Sequence, residues 1–91
     1  MAEVIVTLKI MPESPDTALD KIKDLAEEHI KAFGGETGRV EEEPIAFGLK
    51  ALKMIFVMDE AKGSTDELEK NVSGIEGVVS VEVTDVRRAI G

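Results

Sequence analysis

Cysteine is absent from the 91 residues, so neither a disulfide framework nor a thiolate metal site can be built. Tryptophan and tyrosine are absent too, and phenylalanine occurs three times. A stacking platform for single-stranded nucleic acid needs several exposed aromatic faces, which this composition does not supply. Positive charge is scarce: 11 Lys and Arg stand against 19 Asp and Glu, a formal net charge of −8. Phosphate backbones and anionic lipid surfaces are bound by clustered Lys and Arg, so no direct nucleic-acid partner and no membrane partner is expected. No apolar run approaches the roughly 20 residues needed to cross a bilayer. Met1-Ala2-Glu3-Val4 lacks the basic opening of a signal peptide. The expected location is cytoplasmic.

Apolar residues make up 43% of the chain and charged residues 33%, the balance of a folded domain and not of a disordered one. At this length one modest core is possible, and residues 1–91 read as a single domain. Val4, Val6, Leu8 and Ile10 fall on alternate positions, the period of a strand with one buried face, and Pro12 breaks the pattern. Ser14-Pro15-Asp16 then reads as a helix start, with Ser14 or Asp16 as the cap. Leu19, Ile22, Leu25, Ala26, Ile30 and Phe33 form one helical stripe, closed by Gly34-Gly35.

Glu36 to Glu43 is acidic and weakly patterned, as an edge strand is. After a break at Pro44-Ile45-Ala46-Phe47-Gly48, the nearly continuous apolar run Leu52 to Met58 predicts a central strand within Leu49 to Asp59. Ser64 and Glu67 have capping-box spacing ahead of a stripe of Leu68, Val72 and Ile75, with Gly74 as the stop. Val79, Val81 and Val83 alternate in a last strand ending near Val86. The order strand, helix, strand, strand, helix, strand predicts an α+β, ferredoxin-like βαββαβ sandwich: a four-stranded antiparallel sheet with both helices on one face. The first and third strands, the most apolar, belong at its centre.

Catalytic sets are missing. His29, the one histidine, lies on or beside the helical stripe without a second histidine or a thiol to join it, and reads as a packing residue. Glu41-Glu42-Glu43 points to alternating faces of a strand, whereas a hard cation needs converging oxygens, so the run reads as a solvated edge. No metal site and no cofactor is expected, and the chain is not read as an enzyme. Packing leaves two features open. Phe47, at a strand junction before Gly48 and Lys50, is a plug for the end of the core on one reading. Arg87-Arg88, the only adjacent basic pair, is either a solvated tail or a means of reaching an anionic site on a partner.

At these residues the sequence resembles a known family. Pro44-Ile45-Ala46-Phe47-Gly48-Leu49-Lys50-Ala51-Leu52 is similar to a segment of the elongation factor 1-beta exchange domain. Asp59 to Asp66 resembles that family's acidic turn and helix cap. Ile10 to Pro15, Gly74 to Val78 and Val83 to Arg88 resemble its archaeal branch. The resemblance implies a guanine-nucleotide exchange factor for the elongation factor 1-alpha GTPase, promoting GDP release and GTP reloading, acting as a monomer without covalent chemistry. It implies a docking role for Phe47, with Gly48, Ile45 and Lys50 as neighbours in the contact. It also implies an exchange-promoting cation at Arg88, flanked by Arg87. Eukaryotic members carry a lysine close to the C-terminus there, whereas this chain has arginine followed by Ala89-Ile90-Gly91. The alternative is an ACT-like small-molecule-binding module, which needs a glycine-rich turn after the first strand where this chain has Met11-Pro12-Glu13-Ser14.

Overall fold

A computed structural model describes residues 2–89. The elements are β1 (Glu3–Pro12), α1 (Leu19–Phe33), β2 (Glu36–Pro44), β3 (Lys50–Asp59), α2 (Asp66–Ser73) and β4 (Val78–Arg88). All pairs in the sheet are antiparallel, in the order β2-β3-β1-β4, which puts the two most apolar strands in the middle as expected. This is the ferredoxin-like α+β arrangement. Met1, Ile90 and Gly91, the last two part of the extension beyond Arg88, lie outside the described residues.

The alternation in β1 and β3 builds the core. Val6, Leu8 and Ile10 lie opposite Phe56, Met54 and Leu52 on the covered face, and all six are buried. Ile22, Ala26 and Ile30 of α1, with Leu68 and Val72 of α2 and Ile75 beyond it, close over them. Leu25, counted in the helical stripe from its spacing, is instead an exposed residue on the flank of α1. At the end of α1, Gly34 takes a φ of 102°, open to glycine at little cost. The Gly34 and Gly35 amides donate to the Lys31 and Ile30 carbonyls, the crossed bonding of a Schellman stop.

Both expected helix starts are corrected. Ser14-Pro15-Asp16-Thr17 closes on itself: the Thr17 amide donates to the Ser14 carbonyl, and the Thr17 hydroxyl oxygen accepts the Ser14 amide at 3.1 Å. Proline at the second position suits such a turn. The helix therefore begins only at Leu19, with Ala18 at its cap and no side chain capping it. At α2 the Ser64 hydroxyl accepts the Asp66 amide, and Thr65, at the N-cap, donates to Glu69 Oε2 at 2.9 Å. The Ser64–Glu67 box does not form.

β4 is the larger correction. It runs two residues beyond Val86, and its register against β1 shifts twice. Met11 lies opposite Ser80 and Pro12 opposite Val78, leaving Val79 as an extra residue; Thr7 lies opposite Asp85 and Leu8 opposite Val83, leaving Thr84. Each bulge reverses which face the following side chains take. Val78, Val81 and Val83 pack against the core, while Val79 is 64% exposed, so the simple alternation of three valines fails at Val79. β2 carries a comparable irregularity at Gly38, so both edge strands are blunted.

The acidic run on β2 is paired throughout. Lys9 and Lys53 lie directly opposite each other on the uncovered face, an unfavourable like-charge pair. Glu43 bridges them, at 3.1 Å from Lys9 and 3.7 Å from Lys53, while Glu42 is 3.8 Å from Lys50 and Glu41 is 3.4 Å from Arg39. Hydrogen bonding and charge from Lys9, assisted by Lys53, hold the Glu43 carboxyl below its ordinary range. A depressed carboxyl stabilises the fold above its unfolded pKa, about 4.3, and that contribution is lost as pH falls through the folded value. Melting of wild type and Glu43→Gln from pH 7 to pH 2 is expected to show wild type higher at neutral pH, with the gap closing below about pH 4. A gap independent of pH would refute the linkage.

Candidate partner-docking site

The predicted residues fall into two groups at opposite ends of the sheet. Ile45, Phe47, Gly48 and Lys50 lie in and beside the β2–β3 turn, whereas Arg87 and Arg88 end β4, where β1 begins and β3 ends. From Lys50 to Met58 along β3 is about 26 Å at roughly 3.3 Å per residue, in a molecule 42 Å in its longest dimension. The two groups form no common pocket.

At the first end, Pro44 pairs with Lys50 to close the hairpin. The Ile45 amide donates to the Leu49 carbonyl at 2.8 Å, and the Leu49 amide to the Ala46 carbonyl at 3.2 Å. Phe47 and Gly48, the two central residues of that inner turn, have φ of 61° and 78°. Positive φ at both central positions is the mark of a type I′ turn, which favours Asn-Gly, Asp-Gly or Gly-Gly. Phenylalanine there is a costly choice, because its Cβ crowds the backbone in the left-handed region. Its side chain recovers nothing by packing: Phe47 is 94% exposed. The reading of Phe47 as a plug for the core is therefore corrected. The turn lifts one aromatic ring into solvent on a short, doubly hydrogen-bonded base.

Ile45 is half-buried and supports that base, while Lys50 is exposed and faces Glu42. Beside the turn lies an open cleft of about 260 Å³ whose walls include Pro12, Pro15, Leu19, Gly48 and Lys50. Pro15 and its loop thus adjoin the Phe47 turn, a neighbour that sequence reasoning missed. The only signal was the pairing of β1 and β3, which brings the end of one strand beside the start of the other.

At the other end the arginines are strand residues, so the solvated-tail reading is corrected. Arg87 lies opposite Ile5 and Arg88 opposite Val4, so their side chains leave on opposite faces of the sheet. Arg87 Nε donates to Asp85 Oδ2 at 2.9 Å on the uncovered face. Arg88, on the helix side with Val86, donates from Nη2 to Glu60 Oε1 at 2.7 Å. Glu60 was not singled out from the sequence. Its advance signals were its place in the Asp59–Asp66 stretch that resembles an acidic turn and its position just after β3, across β1 from the end of β4. His29 is half-buried in the groove between the helices, near Phe33 and Lys62. Among the described residues no group of three or more His, Asp or Glu is placed to hold a metal ion, and no helix is long and apolar enough to cross a membrane.

The family model described as the EF-1 guanine nucleotide exchange domain matches residues 5–89. The chain is 50% identical over 88 residues to elongation factor 1-beta of Methanothermobacter thermautotrophicus, covering 97% of this chain and 98% of that protein. It is 47% identical, at the same coverage, to elongation factor 1-beta of Methanobrevibacter smithii. It is 41% identical over 90 residues to that of Methanococcoides burtonii, covering 99% of this chain and all of the relative.

The strain at Phe47 gives a prediction independent of any partner. Phe47→Gly relieves about 1–2 kcal/mol of left-handed strain and adds about 0.5–1 kcal/mol of unfolded-state entropy. Denaturant titration should therefore find it as stable as wild type or up to about 1.5 kcal/mol more so. A loss above about 1 kcal/mol would mean that the ring packs on the fold.

Proposed function

The chain belongs to the EF-1 guanine nucleotide exchange domain family, and from that premise we propose that it accelerates GDP release and GTP reloading on the elongation factor 1-alpha GTPase of translation. Residues 1–91 act as one exchange domain, a cytoplasmic monomer that makes and breaks no covalent bond. The observation carrying this reading is the exposed ring of Phe47, held in a turn that would be more stable without it. A strained, solvent-facing aromatic has no structural purpose, and aromatic anchors dominate binding energy at interfaces.

Phe47 docks on the GTPase, with Gly48 keeping the backbone low and Ile45 and Lys50 completing the contact. Arg88 supplies a cation at the far end, flanked by Arg87 on the other face. The distance between the two ends suits a partner engaged at two separate places, one for affinity and one for exchange. GDP is held in such GTPases by Mg²⁺ and a phosphate-binding loop, so a guanidinium that perturbs the phosphate or metal ligands weakens the nucleotide. Linkage makes the effect mutual: a coupling of about 3 kcal/mol lowers the affinities of nucleotide and factor for each other roughly 150-fold. The acidic body, at net −8, favours encounter with basic surface on the GTPase, chiefly through association rate.

Release of fluorescent GDP from an archaeal elongation factor 1-alpha is the test. Wild type should accelerate release. Phe47→Ala should raise the concentration needed for half the effect by about 10- to 100-fold, the size of a lost interface anchor. Arg88→Ala should lower the rate at saturating factor instead. No acceleration at saturating wild-type protein would refute the proposal.

A further inference from the structure

Glu60 stands in a short 3-10 turn, Glu60–Lys62, between β3 and α2, and its backbone is fixed from several sides. Its amide donates to the Ala2 carbonyl at 3.0 Å, and its carbonyl accepts the Gly63 amide at 3.1 Å. The turn is secured by Asp59 Oδ1, which accepts the Ala61 amide at 2.8 Å. Arg88 is fixed through the same stretch of chain: it lies opposite Val4, and the next amide, that of Ala89, donates to the Glu3 carbonyl at 2.8 Å. Ala2 and the first residues of β1 therefore hold the roots of the two side chains, and the carboxylate and guanidinium meet at 2.7 Å.

The side chains are 43% and 69% exposed, and an ion pair so open to water adds little to folding stability. Its effect is on direction. Arginine has several rotatable bonds, and immobilising such a side chain in a complex opposes binding. One bond from Nη2 to Glu60, while it is made, restricts that freedom beforehand and uses one of the five guanidinium N–H donors, leaving the others for an anionic group. The bulge at Thr84 puts Arg88, and not Arg87, on the side where Glu60 stands.

We infer that Glu60 is a positioning residue for Arg88, holding its guanidinium over the end of the sheet in the orientation in which it meets an anionic group on the partner. This inference rests on the exchange reading above. In GDP-release assays Glu60→Ala should lower exchange efficiency by about 2- to 10-fold, the cost of ordering one long side chain on binding. Glu60→Gln, which keeps an acceptor oxygen, should retain at least half of the wild-type efficiency. Glu60→Ala combined with Arg88→Ala should be no worse than Arg88→Ala alone. Nitrogen-15 relaxation of the Arg88 Nε–H group should show greater mobility in Glu60→Ala, with melting temperature unchanged.

Efficiency equal to or above wild type in Glu60→Ala, equal losses in the Gln and Ala variants, or multiplying losses in the double variant would each overturn the inference. Wild-type acceleration undiminished by Arg88→Ala would overturn it while leaving the exchange reading intact. Absence of any acceleration by wild type would remove both.

Discussion

Most placements in this molecule are referred to β1, which with β3 is one of the two strands hydrogen-bonded along both edges. Its even-numbered apolar residues from Val4 to Ile10 set the covered face of the sheet, and the side chains of β3 follow because direct partners share a face. The two helices have apolar stripes that only this face can bury. β1 also determines which chain segments meet at each end. Its start gathers the end of β3, the Glu60 turn and the end of β4; its finish adjoins the Pro15 loop and the region of the Phe47 turn.

Backbone comfort and exposure of an aromatic ring pull against each other in the Phe47 turn. A type I′ hairpin twists with its strands and needs two residues tolerant of positive φ. Gly48 meets that need, and Phe47 meets it at a cost that the rest of the fold absorbs. The hairpin closes through the Pro44–Lys50 pair and two further backbone bonds, so a short rigid base carries the ring. Presenting an aromatic group from so constrained a platform would reduce the order to be imposed in the proposed docking.

Charge has several uses in this chain. On the uncovered face Glu43 lies between two lysines that would otherwise repel, and Asp85 occupies Arg87 on the same side. At the end of the sheet Glu60 orients Arg88. The remaining acidic surplus is distributed over the surface, where it acts at long range on encounter with a partner and little on the fold.

Much of this was legible in the sequence because two periodicities are simple. Period 2 in β1 and the helical spacing of Ile22, Ala26 and Ile30 name the core, the acidic stretch from Glu36 names an edge, and Gly34-Gly35 names a helix stop. The similarity of residues 44–52 to an exchange-domain segment marked Phe47, although alternation alone left it as a possible plug. Local hydrogen bonds that compete with one another were less legible. Ser14 has the chemistry of a helix cap, yet Thr17 captures it in a turn. Least legible was the register of β4. A bulge inserts one residue on one strand only, and nothing in Val83-Thr84-Asp85 announces it. The partner strand decides it, since Val83 opposite Leu8 and Val86 opposite Val6 can both lie on the helix side only if one residue between them is looped out. The sequence by itself determined that two adjacent arginines follow Val86; that they belong to the last strand came only from the tertiary structure. Only the pairing with β1 decided which of them faces Glu60, because each side chain takes its face from the register and not from its neighbours in sequence.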